Sequence, residues 1–197
     1  MKNNPQYNIQ KIQNKLKRKL SDSRYVHTLG VAYTAASLAM KYGYDISDAF
    51  LAGLLHDCAK YMNGNEFIKC ALENNIEISD AEKNKPDLLH AKIGAFFAKK
   101  KYDIEDEEIC SAIRYHTTGR PNMTLLEKII YIADYIEPKR DKMPRLDIIR
   151  KTAFEDIDEC LKMILNDSVE YLKSSGMSID TTTIETYDYY CKNNLGA

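Results

Sequence analysis

The sequence lacks the features that would mark an exported, membrane-spanning or nucleic-acid-coating protein. No apolar run approaches the roughly 20 residues that cross a bilayer. The start, Met1 to Gln10, is polar where a signal peptide would be apolar, so export is not expected. Neither sign of charge dominates: 28 Lys and Arg balance 29 Asp and Glu, for a net charge of -1. That argues against a surface built for a nucleic-acid polymer and leaves room only for a local basic pocket. The 5 cysteines (Cys58, Cys70, Cys110, Cys160, Cys191) are odd in number, scattered and without a CxxC pair. They support neither a zinc ribbon nor a thioredoxin-like site, and fit free thiols in a reducing cytoplasm. Cys58 reads as a small apolar packing residue. Alternating strand patterns, Asn-Gly hairpins, repeats, low-complexity tracts and long linkers are also missing.

What remains is helical periodicity along nearly the whole chain, in a composition ordinary for a globular domain (44% apolar, 29% charged). Ile9, Ile12, Leu16 and Leu20 outline a first amphipathic helix. Ser21 or Asp22 caps a second, which runs through Arg24 and His27 to Tyr42 and stops at Gly43. Ser47 is expected to cap a central helix carrying His56 and Asp57, broken at Asn63-Gly64. Phe67, Ile68, Ala71 and Leu72 mark the next. Pro86 is expected to open a helix holding His90, and Asp103 to cap one from about Ile104 to His116. A turn over 117–121 leads into the capping box Thr124 to Glu127, whose helix holds Asp134 and is limited by Pro138. One long helix is expected over 146–173, ended by Gly176, then a short one with a Thr182–Glu185 capping box. The expectation is an all-α helical bundle, a single domain over 1–197, with its core over about 20–140 and C-terminal helices over 146–192 packing on it.

The organising stretch is Leu51-Ala-Gly-Leu-Leu-His-Asp-Cys-Ala-Lys60, an apolar run that ends in His56, Asp57 and Lys60. On a continuing helix these three would share a side. Charge in so apolar a setting is costly unless it is paired or binds a metal. The chain has only 4 histidines, His27, His56, His90 and His116. Imidazole with carboxylate suits iron, manganese or zinc, whereas an all-oxygen set suggests magnesium or calcium. Asp134 supplies a further carboxylate, because it interrupts the apolar run Ile129 to Ile136; a buried acid paired with Lys or Arg is the alternative. Glu137 reads either as a partner that orients a ligand or as an ordinary helix-end acid.

The order His27, His56-Asp57, Asp134 resembles the H…HD…D pattern of the HD superfamily of metal-dependent phosphohydrolases. The strings Arg24 to Val31, Gly53 to Lys60, Leu89-His90, Ala112 to Gly119 and Leu126 to Pro138 with Arg140 resemble its YqeK-type branch, in order and over almost the whole chain from about residue 9. That branch cleaves diadenosine tetraphosphate symmetrically into two ADP and uses iron. The resemblance implies His27, His56, Asp57 and Asp134 as metal ligands, for iron or for manganese or another divalent cation. It implies Arg24, Lys60, His90, His116, Thr117 and Arg140 on the nucleotide-phosphate side. The segment from Met177 through Ser178, Ile179, Asp180 and Thr181 to Thr182 lies where the family closes over the nucleotide. Lys142-Met-Pro-Arg-Leu146 departs from the Phe-Pro-Gly-Val of the family, which bears on the pocket rim and leaves the metal set untouched.

Chemically, Asp57 or Asp134 is placed to take a proton from water. Arg24, Arg140 and Lys60 are placed to offset phosphate charge, Lys60 as a point charge in the catalytic group with the two aspartates. His90 and His116 read first as substrate contacts, with proton donation or a second metal bridged by Asp57 as alternatives. The expected ligand is a dinucleoside polyphosphate or nucleoside diphosphate, with no membrane or nucleic-acid polymer as partner. A homodimer stays open, and tail residues Tyr187, Tyr189 and Tyr190 read as core packing before subunit contact. Three rivals remain: another HD phosphohydrolase (a nucleotidase or signalling-nucleotide phosphodiesterase), a nucleotide-binding regulator without catalysis, and a di-iron oxygenase on the same scaffold.

Overall fold

The computed structural model describes residues 7–176 and 178–192, and every regular element in that part is helical. The elements are α1 (Ile9–Lys17), α2 (Asp22–Tyr42), α3 (Ile46–Leu55), α4 (Gly64–Glu73), α5 (Asp80–Asn84), α6 (His90–Tyr102), α7 (Glu107–Tyr115), α8 (Leu125–Ile136), α9 (Leu146–Ala153), α10 (Ile157–Ser174) and α11 (Thr181–Tyr187). A 3-10 turn, Pro86–Leu89, precedes α6, and a π turn, Asp188–Lys192, follows α11. None of these helices is long and apolar enough to cross a membrane. Residues 1–6 of the polar start, and Met177 of the closing segment, lie outside the described residues.

Helices α2, α3 and α8 set the frame. The small stripe Ala32, Ala35, Ala36 and Ala39 keeps one face of α2 low, so α3 can lie against it. The crossing is closest at Gly53, where a Cβ would stand 2.8 Å from the Ala32 Cα. Helix α3 has no solvent-facing stripe from Leu51 to Leu55, and an all-apolar helix of that kind belongs inside the domain. Helix α8 buries Ile129, Ile130, Ile132 and Ile136 against the same core, while Cys160, Leu161, Ile164 and Leu165 of α10 cover its outer side. Tyr190 is buried as expected of the tail, and its hydroxyl accepts the Met123 N–H at 2.7 Å. Tyr189 stays exposed.

Several local expectations hold: Ser21 caps α2, Gly43 ends it at φ 70°, and Thr124 with Glu127 forms the capping box of α8. Others need correction. Asp45, not Ser47, caps α3, which ends at Leu55 with His56 as its C-cap. Beyond it the chain winds in tight turns, with Cys58 N bonded to Leu55 O and Lys60 N to Asp57 O, so His56, Asp57 and Lys60 do not share a helix face. Pro86 opens the 3-10 turn, and α6 begins at His90 itself. Asp103 ends α6 in the left-handed region (φ 55°), and Asp106 caps α7. The long helix over 146–173 is two helices, since Asp156 turns out of α9 and caps α10. Asp180 caps the last helix, in place of a Thr182–Glu185 box. Helix α5, capped by Ser79 with Glu82, has too few residues to show a period and was not expected. At α3 and α11 Asp has taken over from a nearby Ser or Thr, because a carboxylate is as good an acceptor for the first N–H groups as a hydroxyl; at α7 one Asp replaces another.

Candidate metal centre

His27 comes from the first turns of α2, His56 from the C-cap of α3, Asp57 from the turn after it, and Asp134 from α8. The structure brings their donor atoms together. His27 Nε2 lies 3.1 Å from Asp134 Oδ1 and 3.8 Å from Asp57 Oδ2, while His56 Nε2 lies 3.4 Å from Asp57 Oδ2 and 4.0 Å from Asp134 Oδ1. Neighbouring ligands of one ion at about 2.0–2.2 Å are spaced by about 3–4 Å, and the donor atoms that lie mutually within reach form two groups that share His56: His27, His56 and Asp134, and His56, Asp57 and His116. The rings supply a second test. His56 Nδ1–H donates to Gly53 O at 2.7 Å, and His27 Nδ1 meets Glu137 Oε1 at 3.0 Å. With Nδ1 holding the proton, each Nε2 is a lone pair aimed inward, and both are buried without a hydrogen-bond partner. Orphaned buried acceptors are costly, and a metal ion is what such a pair satisfies. This donor set fits a divalent cation of the borderline class.

Each carboxylate is also tied to an arginine. Arg24 donates an amino N–H to Asp57 Oδ2 at 2.8 Å, and Arg140 donates one to Asp134 Oδ1 at 2.7 Å while its Nε–H bonds Asp134 O. Burial opposes ionisation of Asp57, but His56, with His90 and His116 behind it, holds its carboxyl well below the usual range. Burial likewise works against Asp134, and His27, His56 and Arg140 outweigh it. His56 goes the other way: burial disfavours its charged form, yet Asp57 and Asp134 raise its pKa.

The other two histidines close the back of the site. His90 Nδ1–H donates to Asp87 O and His116 Nδ1–H to Ile113 O. Their Nε2 atoms face each other at 3.1 Å, with Asp57 Oδ1 3.4 Å from His90 and 3.8 Å from His116. The Thr117 hydroxyl reaches His90 Nε2 at 3.2 Å. Burial, with His116 and Lys60 nearby, pushes the His90 pKa down to about 3, and burial with His56 pushes His116 to about 4, so both rings stand neutral. Two facing lone pairs repel, and the pair is complete only with a shared proton or a cation. Burial also lowers the pKa of Lys60, which lies in the field of Asp57 and Asp134; no hydrogen bond or ion pair holds its ammonium among the described residues.

The segment 178–182 is not brought into contact with this cluster. Asp180 accepts from the Ser79 hydroxyl at 2.8 Å and caps α11, and Thr181 and Thr182 line a separate cleft with Thr118 and Arg120. Ser178 and Ile179 lead into that cap. Arg145, in the loop that departs from the family pattern, takes the left-handed conformation (φ 52°) that suits a glycine. Its guanidinium pairs with the buried Asp167 of α10, so the departure changes how the loop is anchored and not the metal set. Two residues escaped sequence reasoning. Gly30 faces Glu137 so closely that a Cβ would come within 2.5 Å of Oε2. Arg150 gathers the carbonyls of Ile136, Glu137 and Arg140, each at 2.9 Å, and so fixes the turn that presents Glu137 and Arg140. Arg150 sits four residues after Leu146 and carries no local signal of that long reach.

Known proteins resemble this chain along most of its length. The model of the HD domain family matches residues 24–139. The chain is 38% identical over 174 residues to the symmetrical bis(5'-nucleosyl)-tetraphosphatase of Bacillus subtilis (strain 168), covering 88% of this chain and 92% of that protein. It is 40% identical over 173 residues to the protein of the same name from Halalkalibacterium halodurans, covering 88% and 91%. A crystal structure from Clostridium acetobutylicum, described as a predicted HD superfamily hydrolase involved in NAD metabolism, superposes with a TM-score of 0.90 at 41% identity, over 94% of this chain and 98% of that one. The chain belongs to the HD domain family and, within it, to the YqeK-type branch that contains these relatives.

Proposed function

We propose that the protein is a metal-dependent hydrolase that cuts a symmetrical dinucleoside tetraphosphate at its centre, turning diadenosine tetraphosphate into two ADP. The observation that carries this is the pair of buried, partnerless Nε2 lone pairs of His27 and His56, converging with Asp57 and Asp134 between two arginines. The names of the relatives supply the substrate class. His27, His56, Asp57 and Asp134 hold the metal, which we take to be iron. A divalent cation there supplies a water of lowered pKa and withdraws charge from a phosphoryl oxygen.

The chain's own groups do the rest. Asp57 or Asp134, both ionised at neutral pH, orients the attacking water and takes its one proton. Arg24 and Arg140 each spend part of the guanidinium on a carboxylate and offer the remaining N–H groups to phosphate oxygens, where charge develops as the anhydride breaks. Lys60 adds a point charge without a competing partner, and Thr117 adds a hydroxyl. The Ser178–Thr182 segment closes over the nucleotide away from the metal. His90 and His116, with Asp57 Oδ1 beside them, would hold a second cation where one binds, and their facing lone pairs favour this over direct contact of neutral rings with phosphate. The 5 unpaired cysteines fit a cytoplasmic enzyme.

Metal analysis of anaerobically purified protein, followed by incubation with diadenosine tetraphosphate, tests the reading. Two ADP per substrate is expected, with iron at one or two equivalents. AMP plus ATP overturns the central cut, and an intact, tightly bound nucleotide with iron restored points to a regulator.

A further inference from the structure

Resting on the reading above, a central cut demands room for two phosphates and a nucleoside on each side of the metal. Two clefts share no lining residue, and the second is lined by His27 of the cluster itself. One, of about 520 Å³, lies between Tyr115, Thr118 and the Asp180–Thr182 cap. Two of its three cations are in ion pairs, Lys92 with Glu82 at 2.7 Å and Arg120 with Glu127 at 2.8 Å, and Arg114 stands with them among Glu77, Glu82, Asp180 and Glu185. The other, of about 490 Å³, starts at His27 and Arg24 and runs along Lys139, Arg140, Lys142 and Met143. Both volumes are of the size that a nucleotide fills.

The second cleft is unlike the first in charge. Of its two acids, Glu137 is buried and committed to His27 and to the Lys139 N–H, which it accepts at 2.8 Å. Arg24 and Arg140 are already paired with Asp57 and Asp134, and only Asp141 stands against Lys139 and Lys142. Lys139 and Lys142 are exposed, and neither ammonium is in an ion pair among the described residues. Met143, half-buried against the core, gives the far end a soft apolar surface that suits the face of a base.

We propose that the Lys139–Met143 turn is the subsite for the second nucleoside diphosphate. Arg24 and Arg140 reach the phosphate nearest the metal, Lys139 and Lys142 hold the outer one, and Met143 underlies the base. The other half lies in the cleft beside Asp180–Thr182. A symmetrical substrate is thus read by two dissimilar sites, one through charge and one through its nucleoside.

The test is calorimetric binding of diadenosine tetraphosphate with a methylene bridge between the two central phosphates, to metal-loaded protein at low salt. Lys139→Glu with Lys142→Glu should weaken binding at least tenfold, and the gap should narrow as salt is raised. Lys69→Glu with Lys100→Glu makes the same change of charge on exposed residues elsewhere and should change binding less than twofold. Equal losses in the two pairs, or less than twofold in the first, overturn the subsite. Turnover of the natural tetraphosphate by the unaltered protein is scored separately. Its absence sinks the activity, while the subsite still stands or falls on the binding data.

Discussion

His27 is held by Glu137, and Glu137 is held by the absence of a side chain at Gly30. The carboxylate is almost fully buried; Oε1 meets His27 Nδ1 at 3.0 Å and Oε2 accepts the Lys139 N–H at 2.8 Å. Removing a group that orients a metal-binding histidine typically weakens metal affinity 10–100-fold, which is about 1.4–2.8 kcal/mol. Glu137→Ala should fall in that range. Gly30→Ala should do nearly the same from a different helix, since its Cβ would stand 2.5 Å from Oε2 and the carboxylate must retreat by about 1 Å to reach ordinary contact. That shift lengthens the bond to His27 beyond hydrogen-bonding distance. The two changes act through one contact, so in the Glu137→Ala background Gly30→Ala should cost less than about 0.5 kcal/mol more. Competition of each single and double variant with a chromogenic chelator for Mn²⁺ measures the cycle, and urea denaturation of the chelated proteins removes any general loss of stability. Fully additive losses would falsify the link, because Gly30 would then act on the metal by some route other than Glu137.

Gly53→Ala should destabilise by about 1–3 kcal/mol in urea and weaken metal binding too, since its Cβ would drive α3 off Ala32 and part His56 from His27; unchanged stability refutes the close crossing. Arg150→Ala leaves the carbonyls of Ile136, Glu137 and Arg140 without their charged donor and should cost about 3 kcal/mol; a loss under 1 kcal/mol would show that water replaces it. In metal-free protein His90 and His116 are neutral, with pKa values of about 3 and about 4, against about 6.5 in an unfolded chain. The unfolded chain therefore takes up protons first as pH falls, and stability should decline from about pH 6.5 toward those folded values. The urea midpoint should be lower at pH 5 than at pH 7, and His90→Asn should shrink the difference. Adding Mn²⁺ to 100 times its dissociation constant should raise the unfolding free energy by about 2.7 kcal/mol, a gain that Asp134→Ala should largely abolish.

How much of this was legible beforehand depended on whether the signal was local. The charged interruptions were, because His56-Asp57 and Asp134 each break an apolar run, and a charge in such a run has few cheap explanations. Helix existence was legible from the 3.6-residue period, and its ends were not. Asp45 and Asp106 each cap a helix where another residue, Ser47 or Asp103, had equal local claim, and tertiary packing chose between them. The break between α9 and α10 hid inside one continuous apolar period. Gly30 and Arg150 were invisible for another reason: their partners Glu137 and Ile136 lie on a different helix, and nothing in the adjacent sequence refers to them.

The geometry also explains why Glu137 is needed at all. The last carbonyls of a helix have no N–H partner within it. His56, at the C-cap of α3, turns Nδ1–H onto Gly53 O, and His116, at the C-cap of α7, turns its own onto Ile113 O. His90, at the junction of a 3-10 turn and α6, uses Asp87 O in the same i−3 relation. The His56 and His116 rings thereby fix their tautomers on carbonyls at a helix end, His90 shares Asp87 O with its own backbone N–H, and each Nε2 points to the cluster. His27 lies inside α2, where the carbonyl three residues back already serves the helix ladder. It has no local acceptor to borrow, so one must come from another helix. Glu137 at the end of α8 is that acceptor, admitted by Gly30 and set in place by Arg150. Three histidines are oriented by where helices stop; the fourth is oriented by a carboxylate, because its helix does not.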